Sequence, residues 1–274
     1  PRSTPKPSSA ASDVYKRQSF KRENETTWKG NLDQNWNIGD VPNGGYLLAV
    51  VLRAMQEQVN SKNLLSVNAH YLRPGVTGEE AKVESLILRE GSSISTSSGL
   101  LIQREKPSLQ VLAAFGDFKK TTENLPKIEI EPPSIPSPEN CEKRSAENQG
   151  VDLSIQKRVD VRVAEMGNDS DRSELYGWIK FCDSTSVDSL ALALFSDAFP
   201  PSIFSKLGRV GWVPTVELTV HVRNIPKEGW IMGHFFTDDL QNGSMIETGR
   251  LWDSDGRLVA QSRQLALMKQ TGES

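Results

Sequence analysis

Hydrophobic and polar positions divide this chain into two stretches built to the same plan. Over 46–58, Leu47, Val50, Val51 and Ala54 recur at helical spacing, and over 187–199 so do Leu190, Ala193 and Leu194, which predicts one helix in each stretch. Four β-rich runs follow the first helix, at 66–73, 80–89, 93–103 and 109–118, with turns expected at Gly91-Ser92 and Lys106-Pro107. Four more follow the second, at 215–223, 229–238, 244–253 and 257–268, with Asn242-Gly243 and Asp255-Gly256 as hairpin turns. Segments 28–36 and 174–181 supply a strand ahead of each helix. Both helices are apolar on more than one face, the pattern of a helix largely wrapped by its own sheet. An α+β architecture occurring twice follows, each unit a long helix packed against a curved antiparallel sheet.

One residue breaks the pattern. Asp197 falls on the face of the second predicted helix marked by Leu190, Ala193 and Leu194, where a carboxylate must be hydrogen-bonded, neutralised or turned toward a polar cavity. A capped acid near the helix end, just before Pro200-Pro201, satisfies the same pattern. On the last strand, Ala260, Ser262, Gln264, Ala266 and Met268 share one face, so Gln264 points inward and needs partners for its donor and its acceptor. Thr215 has the parity of Glu217, Thr219 and His221, the polar face of its strand, although Pro214 just before it can break that parity; Thr219 is the alternative.

Composition and charge narrow the class. Between 119 and 151 prolines 126, 132, 133, 136 and 138 and many charges interrupt the apolar pattern, which reads as a linker. The expected division is 19–118 for the first unit, 119–157 for the linker and 158–270 for the second unit. Residues 1–18, rich in Ser, Pro and Lys, read as a disordered extension whose end resembles a translated adapter rather than a native N-terminus. Much of 124–149 is expected to be mobile for the same lack of apolar residues. A net charge of -3 with interspersed signs offers no basic stripe for nucleic acid, and no apolar run approaches a membrane span. Cys141 and Cys182 with three scattered histidines make neither a disulfide framework nor a metal cluster, so no metal and no cofactor is expected, and a reducing, cytoplasmic setting fits. No Gly-x-Ser-x-Gly elbow occurs, His221 and His234 lack an acid at recognisable spacing, and the chain does not end in a peroxisomal Ser-Lys-Leu.

Particular motifs then carry a resemblance. The two-unit plan resembles the double hotdog fold. Asp40-Val41-Pro42-Asn43-Gly44-Gly45-Tyr46-Leu47, Phe195-Ser196-Asp197-Ala198-Phe199-Pro200-Pro201 and Gly211-Trp212-Val213-Pro214-Thr215 resemble the thioesterase-like superfamily, in particular acyl-CoA thioesterase II of the TesB type. With 258–268 the resemblance spans roughly 28–268. Two departures are Glu217-Leu218 after the Thr and Gly91-Ser92-Ser93 in the first half.

The resemblance implies that Asp197, Thr215 and Gln264 hold a hydrolytic water, and that an acyl-CoA thioester is cleaved to a free acid and coenzyme A. Asn43, Gly44 and Gly45 are expected to offer first-turn N–H groups to a thioester oxygen or phosphate, with Trp212 as pocket wall. Arg73 and Arg223, each ending the first strand after its helix, are expected to meet the coenzyme A phosphates. A non-catalytic acyl-thioester binding module, or another acyl-thioester enzyme of the same superfamily, is the alternative. Self-association into a homo-oligomer is left open.

Overall fold

In the computed structural model, the described residues are 20–59, 63–118, 128–166, 171–183, 185–209 and 211–268. The expected disordered extension, 1–18, lies outside them, as do 119–127 of the expected linker. Strands β1 (Phe20–Arg22) and β2 (Thr27–Asn31) and the two-residue pair β3 (Asn37–Ile38) and β4 (Val41–Pro42) lead into helix α1 (Gly44–Gln58). Strands β5 (Asn63–Tyr71), β6 (Glu80–Arg89), β7 (Ile94–Gln103) and β8 (Lys106–Gly116) follow. In the second half β9 (Glu142–Lys143), β10 (Val159–Ala164) and β11 (Ser173–Phe181) precede helix α2 (Ser189–Phe195). It ends with β12 (Thr215–Val222), β13 (Ile231–Gln241), β14 (Ser244–Trp252) and β15 (Leu258–Leu267).

All of these strands except β3 and β4 form one sheet of 13 strands, ordered β1-β2-β6-β7-β8-β5-β12-β15-β14-β13-β11-β10-β9. The order β2-β6-β7-β8-β5 in the first half is mirrored by β12-β15-β14-β13-β11 in the second, so the first strand after each helix is innermost. The halves join where β5 pairs antiparallel with β12, from His70 opposite Glu217 to Ser66 opposite His221. Alternate residues of each strand point to the concave side, and there they bury α1 and α2 in a single apolar core. Inside that core α1 and α2 touch: a Cβ on Gly45 would stand 2.5 Å from the Leu194 carbonyl oxygen, so only glycine permits the approach.

Several expectations are corrected in detail. The second helix ends at Phe195 rather than at 199, because the next bonds, Asp197 N–H to the Leu194 carbonyl and Ala198 N–H to that of Phe195, tighten to the i−3 pattern before Pro200-Pro201. The turn expected at Lys106-Pro107 lies at Arg104-Glu105, both left-handed with φ of 49° and 57°. The expected strand 28–36 stops at Asn31, since Asp33 caps a 3-10 turn over Gln34–Trp36. Residues 128–157, read as linker, are docked on the second half: β9 pairs with β10, and Ile130 and Pro136 carbonyls accept from the Trp252 and Trp178 indoles. Cys141, Leu153 and Ile155 in the same stretch are buried. No helix among the described residues is long and apolar enough to cross a membrane.

Candidate active site

The site forms where the N-terminus of α1 meets the turn after α2. Asn43 caps α1, its Oδ1 accepting the Tyr46 N–H at 3.0 Å. Its Nδ2 donates across to the second half, to the Asp197 carbonyl at 2.8 Å and to Asp197 Oδ2 at 3.1 Å. The Gly45 N–H donates to the same Oδ2 at 2.8 Å, so the positive end of α1 is aimed at the carboxylate. A Cβ on Gly44 would stand 2.8 Å from that oxygen, which is why this turn is glycine. The other oxygen, Oδ1, accepts from Thr215 Oγ1 at 3.3 Å and from Gln264 Nε2 at 3.5 Å, and Gln264 Nε2 also donates to Thr215 Oγ1.

Thr215 reaches the site because of a bulge. The register of β12 against β15 shifts between Thr215 and Glu217, leaving Val216 as the extra residue and placing Thr215 opposite the inward Ala266. Thr219 keeps the outward parity; its hydroxyl donates to Glu217 at 2.6 Å and accepts from Asn68 Nδ2 at 2.9 Å, away from Asp197.

Burial pushes the Asp197 carboxyl up to about 6, against the Gly45 N–H, Thr215, Asn43 and the Arg144 guanidinium, which all favour the ionised form. Arg144 is itself buried and donates to the Ala198 carbonyl at 2.7 Å, fixing the turn that carries Asp197. A third tie comes from Glu247 on β14, whose Oε2 accepts the Ser202 N–H at 2.7 Å. The Tyr71 ring packs beside Gly44, and burial together with the Asp197 charge pushes its phenol well above the ordinary value. Sequence reasoning missed these three. Arg144 lay in the stretch read as linker; Glu247 has the inward parity of Met245 and Leu251, a signal that was there to find.

Asn43, Gly44, Tyr71, Arg144, Asp197, Thr215, Glu247 and Gln264 border one cavity of about 910 Å³, whereas Gly45, expected to offer its N–H to a ligand, is not in its lining and gives that N–H to Asp197. Asn43, Gly44, Arg73 and the 45 % exposed Trp212 line it, and Phe199, Phe235 and Met245 make an apolar wall. Arg73 stands at its rim, donating to the Pro107 carbonyl at 2.7 Å. Arg223 does not join it. Because β5 and β12 run antiparallel, their C-terminal arginines fall at opposite ends of the joint, and Arg223 is about 26 Å along the strand from Thr215. His234 has an acid partner that sequence spacing hid, Glu174 at 3.1 Å, but the pair is on the other side of β11 and β13 from this cavity. Among the described residues no cluster of His, Cys, Asp or Glu has the arrangement to hold a metal ion.

Glu247 also gives the site a stability signature. Burial, and secondarily the Asp197 charge, push its carboxyl up to about 7 against the hydrogen bonds from Ser202. A folded value above the unfolded one means that its contribution to stability is present in acid and is lost as pH rises through about 7. Glu247→Gln should therefore flatten the fall in melting temperature between acid and alkaline pH. Above neutrality it should be more stable than the parent by on the order of 3 kcal/mol. Thermal melts of both proteins across that range check this; parallel curves would contradict it.

Residues 32–118 match the family model of the acyl-CoA thioesterase N-terminal domain, and residues 132–268 that of the C-terminal domain. The chain belongs to the acyl-CoA thioesterase family, and its fold is of the hotdog type. The structure of a candidate thioesterase II from Thermobifida fusca superposes with a TM-score of 0.84 at 29% identity, over 96% of this chain and 99% of that one. A hot dog fold protein of unknown function from Alicyclobacillus acidocaldarius gives 0.83 at 20% identity, over 96% and 99%. In sequence, acyl-CoA thioesterase 2 of Haemophilus influenzae is 23% identical, over 82% of this chain and 87% of its own.

Proposed function

We propose that the protein hydrolyses acyl-CoA thioesters to free carboxylic acid and coenzyme A, with Asp197 as general base. The observation that carries this reading is the convergence of Thr215 Oγ1 and Gln264 Nε2 on the one Asp197 oxygen, Oδ1, that α1 leaves free, beside an apolar cavity. A water held there by Thr215 and Gln264 gives its proton to Oδ1 as its oxygen attacks the thioester carbon. The first-turn N–H of Gly44, at the positive end of α1, faces the charge that develops on the carbonyl oxygen. The tetrahedral intermediate collapses by breaking the C–S bond, and the proton on Asp197 passes to the departing thiolate. Water, base and leaving group balance without a metal or a redox step. Positioned proton transfer of this kind contributes about 10² to 10⁴ in rate.

The same reading takes the chain as a double hotdog, with its two units in 19–118 and 158–270 and with 128–157 packed on the second. The mirrored strand order supports it. Arg73 at the cavity rim is the candidate for a coenzyme A phosphate, and Trp212 for the wall above the pantetheine arm.

The test is release of free coenzyme A thiol across acyl-CoAs of graded chain length. Turnover of at least one series well above the spontaneous rate is expected. Tight binding of every acyl-CoA without turnover would replace this reading with that of a binding module.

A further inference from the structure

The cavity holds one hydroxyl that the reaction proposed above does not use. Tyr71 ends β5 with the inward parity of Val67 and Ala69, next to the joint where the bulge at Val216 turns Thr215 inward. It lines the cavity, and the end of its ring that carries the hydroxyl abuts α1: a Cβ on Gly44 would stand 2.9 Å from Tyr71 Cε1, 3.2 Å from Cζ and 2.8 Å from Asp197 Oδ2. Phenol and carboxylate thus meet at the first residue of α1. The Tyr71 hydroxyl is buried and has no hydrogen-bond partner among the described residues. Phe would fill the same room without a hydroxyl to satisfy, so the choice of Tyr calls for an acceptor from outside the chain.

Chemistry narrows that acceptor to one atom. Burial, and secondarily the Asp197 charge, push the phenol well above its ordinary value, so it keeps its proton and acts as a donor. Asp197 is not its acceptor: Oδ2 takes the Gly45 N–H and Asn43 Nδ2, and Oδ1 takes Thr215 and Gln264. Of the groups that hydrolysis brings beside α1, the water gives its proton to Oδ1 and attacks with its lone pair, and the thioester sulfur is a weak acceptor. The thioester carbonyl oxygen remains. It gains negative charge as the water adds, and the reading above sets it at the N–H of Gly44, the residue against which the Tyr71 phenol rests.

Resting on the thioesterase reading, we propose that Tyr71 is a further catalytic residue, whose hydroxyl donates a hydrogen bond to the thioester carbonyl oxygen beside the Gly44 N–H. The hydroxyl keeps its proton throughout. Its hydrogen bond strengthens as the water adds to the carbonyl carbon and charge builds on the oxygen, and slackens when the C=O bond re-forms and the C–S bond breaks.

The experiment measures kcat and KM for coenzyme A release from acyl-CoAs of graded length in the parent and in Tyr71→Phe, with thermal melts of both. Removal of one such donor should lower kcat by about 10²-fold or more and leave KM little changed. The melting temperature should stay level or rise, because the change removes a buried hydroxyl that has no partner. The rise of kcat/KM with pH through about 6 should persist, since Asp197 is untouched. Parent-like kcat overturns the proposal, as does a loss of kcat joined to a lowered melting temperature, the mark of a structural hydroxyl. A second measurement needs no turnover: calorimetric binding of S-octyl-CoA, which lacks the carbonyl, and of the octanoyl-CoA analogue in which a methylene replaces the sulfur, which keeps it. The parent should bind the ketone more tightly by about tenfold or more, and Tyr71→Phe, or Tyr71→Leu if the Phe form does not fold, should lose most of that margin. Equal affinities in the parent, an unchanged margin in the variant, or no binding of either analogue overturn the proposal. If the parent hydrolyses no acyl-CoA, the thioesterase reading fails separately, and the binding comparison alone decides the role of Tyr71.

Discussion

Asp197→Asn should cut acyl-CoA turnover on the order of 10² or more in kcat while the protein still folds. Asn keeps the shape of the side chain, and its oxygen still accepts from the Gly45 N–H, but it takes no proton from water. The variant also removes a buried charge whose carboxyl is already pushed up to about 6, so its melting temperature at neutral pH should match or exceed that of the parent. A general base must be ionised to act. In the parent, kcat/KM should therefore rise with pH through about 6 and level off above it, and that limb should vanish in Asp197→Asn. Gln264→Ala should cost less than Asp197→Asn, since it removes one orienting hydrogen bond. Its effect should shrink further in the Asp197→Asn background, because residues that act as a unit are not additive. Parent-like turnover by Asp197→Asn with a lowered melting temperature would make Asp197 a structural acid.

How far this site was legible in the sequence depended on whether each residue obeyed a local period. Gln264 did: from Ala260 to Leu267 its strand alternates, and Ala260, Ser262 and Ala266 point inward with it. Asp197 announced itself as an acid on an apolar helical face, although it stands one tightened turn beyond the helix proper. Thr215 was recoverable only from the family motif, because the period of two assigns it to the polar face and the bulge at Val216 reverses that. Tertiary pairing was less visible still. Nothing local in Leu64 or Ser189 indicates that the Leu64 N–H donates to the Ser189 hydroxyl at 2.9 Å. The repeated Arg73 and Arg223 matched as motifs, yet the antiparallel joint of β5 and β12 carries them to opposite ends. Residues 128–157 were misjudged for composition: proline and charge describe a segment without its own core, which here borrows that of the second half.

That shared construction leads to the largest structural effect expected of the protein: neither half should fold alone. Separating 20–118 from 128–268 would expose the paired edges of β5 and β12, each a full ladder of free N–H and carbonyl groups. It would also bare the apolar contact of α1 with α2 at Gly45 and Leu194, and break the half-buried ion pair of Asp33 with Arg158 at 2.7 Å. Asp197 would lose its hydrogen bonds from Gly45 and Asn43 and keep those from Thr215 and Gln264, leaving Oδ2 without a hydrogen-bond donor. Expressed singly, each fragment should aggregate or lack a cooperative melt. Co-expressed, the two should associate and recover thioester hydrolysis, because the site takes its base from one half and the N–H groups around it from the other. Two monomeric fragments, each melting cooperatively, would show instead that the joint is a contact between independent domains. The composite site would then have to assemble by docking, and turnover of the mixed fragments should fall on dilution.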